Sequence, residues 1–453
     1  MGSTPNNADT DTDTDTDTNT DTNTDTDTDT DTPRSGSVAA PAIPPPTRKA
    51  PPRLIVFLAI AQAGLYLALL TPVYVSLTLK LQTLTVDGDA ITALATVSSI
   101  GAVGAFLANP IFGRISDLTT GRFGRRRPWL VAGAAGLTCC LLVIALAPNV
   151  ATVAIAWFLA QVCANAAIAA YLASVADQVP SRQRGKISGL IGLMQNAGVL
   201  GAAYAGQLLG RDMLLLFMVP GLVGLAAMVL YAVVLPDVPL RQRPRTDGGW
   251  RTAIKTFWVN PRQHPDFGWA FASRFLVILA AYMFTTFRLL YLEHQLDLSV
   301  SEATGAMATG ILVYTAALMV ASQTAGWLSD KTGRRKVFVG GATLLFGIGT
   351  YMLVHVDTVG AFYWAELVLG LGYGMYIGVD IALVMDVLPD PDNAAKDLGV
   401  FNVANAGPQA LAPGLAGFLV TTVGGDSYAT MLHVAAAICV VGALVVIPIK
   451  KVR

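Results

Sequence analysis

GRISDLTTGRFGRRR at residues 113–127 returns as GWLSDKTGRRK at residues 326–336. Each stretch has a glycine, an aspartate four residues later, then a glycine leading into a run of basic residues. Gly113-x-x-x-Asp117 and Gly326-x-x-x-Asp330 lie 213 residues apart. Two shorter echoes follow in the same order. Asp177-x-x-Pro180 returns as Asp386-x-x-Pro389, and Asn196-Ala-Gly198 as Asn405-Ala-Gly407, both at an offset of 209. Ordered echoes at nearly one offset read as two copies of a single unit.

Around these echoes the chain is apolar. Hydrophobic residues make up 53% and charged residues only 13%, against about 25% charged in an ordinary soluble domain. So little polar surface cannot coat a globule of 453 residues, and lipid must be the solvent for much of it. Apolar segments of roughly 20 residues, long enough for a helix to cross a ~30 Å core, recur from Leu54 onward. The expected spans are 54–77, 90–112, 129–147, 151–175, 187–209, 213–235, 269–291, 302–325, 337–356, 361–385, 398–420 and 428–449. The fold class is therefore an all-α membrane protein of twelve transmembrane helices in two six-helix bundles. The expected organisation is a tail at 1–52, a first bundle at 53–235, a linker at 236–268 and a second bundle at 269–453.

Basic residues orient the chain. The zero net charge hides ten aspartates between Asp9 and Asp31, and residues 33–453 carry 30 basic and 20 acidic groups, a net of +10. With these spans, 26 of the 30 basic residues fall on one face, and only Lys80 and Arg211 on the other. Basic loops stay in the cytoplasm, so both termini and the linker are expected there, in a bacterial cytoplasmic membrane. No signal peptide is visible before Leu54. The Asp/Thr tail has nothing apolar to bury and its like charges repel, so disorder is expected; Pro41–Pro52 follows as a stiff spacer. Cys139, Cys140, Cys163 and Cys439 fall in apolar runs and read as small core hydrophobes.

The doubled motif after spans two and eight, within a six-plus-six layout, resembles the major facilitator superfamily over about residues 54–450. Within it, SDLTTGRFGRRRPW from Ser116 to Trp129 resembles the sucrose–proton symporters and related glycoside-type sugar symporters. An aspartate at a helix end can accept hydrogen bonds from a neighbouring helix N-terminus, and the arginines after it can pair with it or with anionic lipid head groups. The resemblance implies a conformational gate built from Gly113, Asp117, Arg125 and Arg126, and from Gly326, Asp330, Gly333, Arg334 and Arg335. The plainer reading is a pair of loop caps. Asp177 with Arg182 or Arg184, and Asp386 with Lys396, are expected as a second pair of latches, or as ordinary loop charge.

Ionisable groups inside spans are costly and point to function. Arg274 and Asp380 share one depth on spans seven and ten, and Arg288 and Glu366 share another, so both are expected as charge pairs. The plainer reading has the arginines snorkelling to the interfaces. The resemblance places spans one, four, seven and ten around a central cavity. A sugar there needs aromatic faces, amides and hydroxyls. The candidates are Gln62, Tyr66, Tyr74, Asn165, Tyr171, Gln195, Asn196, Tyr282, Tyr373, Tyr376, Asn402, Asn405 and Gln409. The sugar symporters commonly carry an acid in the membrane part of their first half, and this chain has none there. Proton coupling would then fall to Glu366 or Asp380, or be absent.

The expected function is secondary transport of a small polar solute by alternating access, with exporter and uncoupled facilitator as alternatives within transport. A membrane enzyme finds no support: there is no P-loop, His-Glu-x-x-His or Gly-x-Ser-x-Gly pattern, and the four histidines are scattered. A non-transporting sensor would not need two intact gate motifs. No cofactor or metal is expected. The expected partners are a small-molecule substrate, a proton and membrane lipids, with no nucleic acid, and the chain is expected to be a monomer.

Overall fold

The computed structural model describes residues 1–2, 49–85, 89–237, 262–388, 394–425, 427–450 and 452. The Asp/Thr tail, most of the linker, and the side chains of Lys396 and Asn402 lie outside the described residues. The remainder concerns the unit Pro45–Arg453.

Twelve long helices and no strand occur among the described residues. They are α1 Pro52–Leu84, α2 Asp89–Asp117, α3 Arg127–Leu146, α4 Val150–Gln178, α5 Ser181–Leu209, α6 Met213–Val234, α7 Pro265–Gln295, α8 Val300–Thr332, α9 Arg335–His355, α10 Val359–Val387, α11 Ala394–Phe418 and α12 Tyr428–Val445. Ten of them are long and apolar enough to cross a membrane. The exceptions are α5 and α11. The first turn of α5 carries Arg182 and Arg184, and its middle carries Gln195 and Asn196; α11 holds Asn405, Pro408, Gln409 and Pro413. These polar and helix-breaking residues dilute the apolar run.

Several helices outrun the apolar segments that predict them. The polar ends of α2, α4, α8 and α10 remain helical, so Asp117, Asp177, Asp330 and Asp386 sit on last turns rather than in loops. Hydrated ends lose nothing by continuing the helix, because their backbone groups stay bonded. At the opposite end of the bundle, short polar side chains start five of the described helices. Asn149 caps α4, Asp212 caps α6, a Ser299–Glu302 capping box opens α8, and Thr358 and Ser427 cap α10 and α12. Each satisfies amides that a helix start leaves unbonded.

Two breaks in regular winding matter for the interior. Pro72 cannot donate a backbone hydrogen bond, and α1 loosens into a π-helical turn at Pro72–Ser76 that carries Tyr74. α11 passes into a similar turn at Leu419–Val423. Packing then follows the small residues. α1 packs on α5 and α6, α4 on α2 and α3, α10 on α8 and α9, and α7 on α11 and α12. α2 meets α11 and α5 meets α8, which joins α1–α6 to α7–α12.

Candidate functional site

At the end of the bundle that carries the motifs, Arg126 is the hub of α1–α6. Its side chain is 5% exposed. Nη2 donates to Asp117 at 2.6 Å, Nε to Asp177 at 3.0 Å, and Nη1 to Ser116 at 2.7 Å. Arg125 adds a second bond to Asp177 at 2.6 Å. Asp237, just past α6, accepts the backbone N–H groups of Arg126 and Arg127 at 2.6 and 2.9 Å. It thereby caps α3, where a carboxylate is favoured by the helix dipole. Gly124 has φ +98°, and a methyl group there would strike the Asp237 carboxylate. Arg127 bonds the Leu235 carbonyl.

The matching region of α7–α12 is looser. Arg335 Nη1 donates to Asp386 at 2.6 Å, and Nη2 reaches Asp330 at 3.4 Å. The side chains of Arg335, Asp386 and Asp330 are 25%, 41% and 68% exposed. Lys336 bonds the Ile447 and Ile449 carbonyls, as Arg127 bonds Leu235. Gly333 ends α8 at φ +65° with open space beside it.

The second latch differs from its expected form. Asp177 is held by Arg125 and Arg126, not by Arg182 or Arg184; Arg184 donates instead to the Val179 and Ala176 carbonyls. Asp386 is held by Arg335, while its expected partner, the Lys396 side chain, lies outside the described residues. The physical reason is topological. α3 and α4 run side by side, which brings the motif loop onto the end of α4, while Arg184 folds back along its own turn.

Within the membrane-spanning segments, Arg274 Nη1 lies 2.5 Å from Asp380 Oδ2, and the Tyr376 hydroxyl donates to Asp380 Oδ1 at 2.8 Å. Both carboxylate oxygens are engaged. The Arg274 guanidinium also lies over the Phe401 ring at 5.0 Å. Arg288 Nε and Glu366 Oε1 are 3.1 Å apart, but neither atom is aligned for a hydrogen bond, and Glu366 Oε2 has no partner either. Glu366 is 0% exposed. The Arg288 guanidinium rests over Phe284 at 5.1 Å and Tyr314 at 5.8 Å. This second pair is held by charge and aromatic faces, not by directed bonds.

Tyrosines surround both pairs. Tyr74 and Tyr314 lie within electrostatic range of Arg288 and Glu366, and Tyr373 within range of Arg274 and Asp380. Tyr314 stacks on Tyr373 at 6.4 Å, and Tyr373 on Tyr376 at 6.2 Å. Tyr66, Tyr74, Tyr282, Tyr314 and Tyr373 are half-buried among the helices. Gln62 on α1 reaches Gln195 on α5 at 3.5 Å. Asn405 and Gln409 are half-buried on α11; the Asn402 side chain lies outside the described residues.

Other expected substrate contacts are committed to packing. Tyr171 is fully buried against Tyr231, with its hydroxyl on the Leu58 carbonyl at 3.0 Å. Asn165 bonds the Gln161 carbonyl at 2.9 Å and accepts from Asn109 at 3.4 Å. Asn196 bonds the Gly192 carbonyl at 2.9 Å. A span that is apolar all round gives no sign of which face points inward, which is why Tyr171 reads as a candidate. Two residues escape a reading of the sequence. Tyr314 is a mid-span tyrosine on α8, outside the four spans expected to line the cavity. Asp237 is the first acid after span six, beyond any motif.

A family model described as the Major Facilitator Superfamily matches residues 54–406 and 308–453. The uncharacterised MFS-type transporter YfiU of Bacillus subtilis (strain 168) is 28% identical over 143 residues, 32% of this chain and 27% of that protein. A protein named multidrug resistance protein MdtD from Pectobacterium atrosepticum is 30% identical over 122 residues, 27% of this chain and 26% of that protein. The chain thus aligns with about a quarter of the length of these curated relatives, 27% and 26%. Among solved structures, the nucleoside transporter NupG superposes with a TM-score of 0.69 at 15% identity, over 87% of this chain and 99% of that one. A bacterial homologue of the human lysosomal transporter Spinster, inward-facing and unoccupied, superposes with a TM-score of 0.65 at 13% identity, over 87% of this chain and 94% of that one. At such identities the structural likeness speaks for the fold alone.

Proposed function

The chain belongs to the Major Facilitator Superfamily, a family of transporters rather than enzymes, and from that premise we propose that it carries a small polar solute, a sugar such as a disaccharide, across the cell membrane by alternating access. In this reading twelve helices cross the bilayer as two six-helix bundles, α1–α6 and α7–α12. Both termini and the motif end face the cytoplasm, and the basic residues of that end support the orientation. Arg126 and Arg335 anchor the two cytoplasmic gates.

The observation that carries the substrate reading is the group of half-buried tyrosines beside two paired charges. The four membrane-interior charges, Arg274, Asp380, Arg288 and Glu366, cancel in pairs. A neutral solute enters without an unpaired charge in a medium where that is costly. Tyrosine faces with the amides Gln62 and Gln195 suit a hydroxyl-rich ring.

Proton symport is the coupled form of the proposal. Of the two acids, Glu366 is the better carrier, because neither of its oxygens is hydrogen-bonded. Taking up a proton there breaks no directed contact, whereas Asp380 would lose bonds to Arg274 and Tyr376.

Export is the second reading, favoured by the relatives named multidrug resistance protein. It predicts amphiphilic substrates and proton antiport. Uptake of radiolabelled sucrose and maltose into proteoliposomes, with and without an inward proton gradient, separates the readings. Accumulation with the gradient supports a symporter, and its loss in Glu366→Gln but not Asp380→Asn supports the choice of carrier. Downhill flux alone supports a facilitator. No sugar flux from monodisperse protein sinks the sugar assignment and moves export forward.

A further inference from the structure

The contacts that join α1–α6 to α7–α12 are unequal at the two ends of the bundle. Away from the motif end, the two sets of helices meet closely. A methyl group at Gly417 of α11 would collide with Ala95 of α2, and one at Gly414 would come within 3.1 Å of Ser99 Oγ. Gly305 of α8 faces Gln207 of α5 at 3.8 Å. At the motif end, Gly113 of α2 and Gly185, Gly189 and Gly192 of α5 have nothing within 4 Å. The structure is closed at one end and open at the motif end.

Among the described residues, one side-chain hydrogen bond spans the closed end. Gln82 Nε2, in the last turn of α1, donates to Glu293 Oε2, in the last turn of α7, at 2.7 Å. The two residues stand 211 positions apart, on different bundles. Glu293 is partly buried, and its Oε1 is buried without a hydrogen-bond partner. Arg211, in the α5–α6 turn, and His294 lie within electrostatic range of it. Among the described residues, the close contacts Gly417–Ala95 and Gly414–Ser99 at this end join small residues.

We propose that Gln82 and Glu293 form the extracytoplasmic clasp of the transport cycle: a charge-assisted hydrogen bond between the bundles that exists only in the inward-open state. The naming of the face rests on the orientation given above; the clasp itself does not. Opening the closed end must part α1 from α7, because their last turns lie on opposite sides of the seam. The bond therefore contributes to one conformation and not the other, which is the condition for biasing an equilibrium. A hydrogen bond to a charged group shifts such an equilibrium by on the order of tenfold or more.

The test needs no substrate. Single cysteines report on each end in a background with the four native cysteines replaced by alanine. Ser99→Cys reports on the closed end, where Ser99 Oγ is buried without a partner. Gly189→Cys reports on the open end, where Gly189 is exposed. Membrane-impermeant maleimide is added to proteoliposomes of known sidedness. Gln82→Ala and Glu293→Ala are expected to raise the labelling rate at position 99 by about tenfold and to lower it at position 189. The swapped pair, Gln82→Glu with Glu293→Gln, restores the bond with donor and acceptor exchanged and is expected to return both rates toward those of the parent. Unchanged rates in both alanine variants would overturn the clasp. So would rates that rise at both reporters and are not rescued by the swap, since that marks a loosened fold. If position 99 reacts from the cytoplasmic side and the swap still rescues, the clasp stands and the orientation fails.

Discussion

The two halves of the molecule keep their paired charges at different depths. α1–α6 gather theirs at the motif end, in a dense cluster around Arg126. α7–α12 have a thin version of that cluster around Arg335, and hold two further ion pairs inside the membrane-spanning segments. The two halves thus differ in what they do with charge. The first uses it to fix the approach of α2, α4 and the start of α3 at the rim. The second uses it to make the interior polar. The two halves accordingly contribute different groups here: α1 brings the half-buried Tyr66 and Tyr74, while the charges come from α7 and α10.

The largest effect expected from this contrast lies inside the membrane. Arg288→Ala or Glu366→Ala leaves its partner charged, buried and alone, at a cost of about 3–5 kcal/mol each. Arg288→Met combined with Glu366→Leu removes both charges and should recover most of that loss. Denaturation midpoints in detergent give the cycle. If the double variant loses the sum of the two alanine variants, the pair is not a unit and the contrast of depths loses its meaning.

A second comparison sets the two rim clusters against each other. Arg126→Ala removes the bonds to Asp117, Ser116 and one of the two arginines on Asp177, which keeps Arg125, and should cost about 2 kcal/mol. Arg335→Ala acts on partners largely in water and should cost less than about 1 kcal/mol. Equal losses in parallel melts would mean that the exposed cluster is as strong as the buried one.

The smallest expected difference is between two motif glycines at equivalent places. Gly124→Ala must adopt φ +98° and displace the Asp237 carboxylate, for about 2–3 kcal/mol. Gly333→Ala faces only its own φ of +65° beside open space, for about 1 kcal/mol. Melting both, with Asp237→Ala as a third variant, sharpens the comparison: removing Asp237 should narrow the gap between the glycines.

Parts of this contrast were legible in the residues alone. The echo of Gly113–Asp117 at Gly326–Asp330 marks the rim, because a motif carries its own register. Arg274 and Asp380, or Arg288 and Glu366, can be matched by counting residues from the ends of two neighbouring spans. Depth is nearly all that a buried charge in an apolar helix has to declare. Azimuth is what the residues hide. α4 is apolar on every side, so the commitment of Tyr171 to Tyr231 and Leu58 shows only in three dimensions. Partners across long separations are hidden for the same reason. Asp177 stands near Arg182 and Arg184 in the chain, but the antiparallel run of α3 and α4 delivers Arg125 and Arg126 to it instead. Asp237 and the Gln82–Glu293 bond carry no motif at all.

Solute counterflow tests the central claim most directly, because it requires an alternating carrier and no particular coupling. Proteoliposomes preloaded with unlabelled sucrose or maltose are diluted into trace radiolabelled sugar at equal pH on both sides. The account predicts a transient accumulation of label above equilibrium, abolished when the tyrosine faces beside the Arg288–Glu366 pair are removed by Tyr74→Ala with Tyr314→Ala. A trace that never exceeds equilibrium with either sugar, from protein that is monodisperse and correctly inserted, would contradict it.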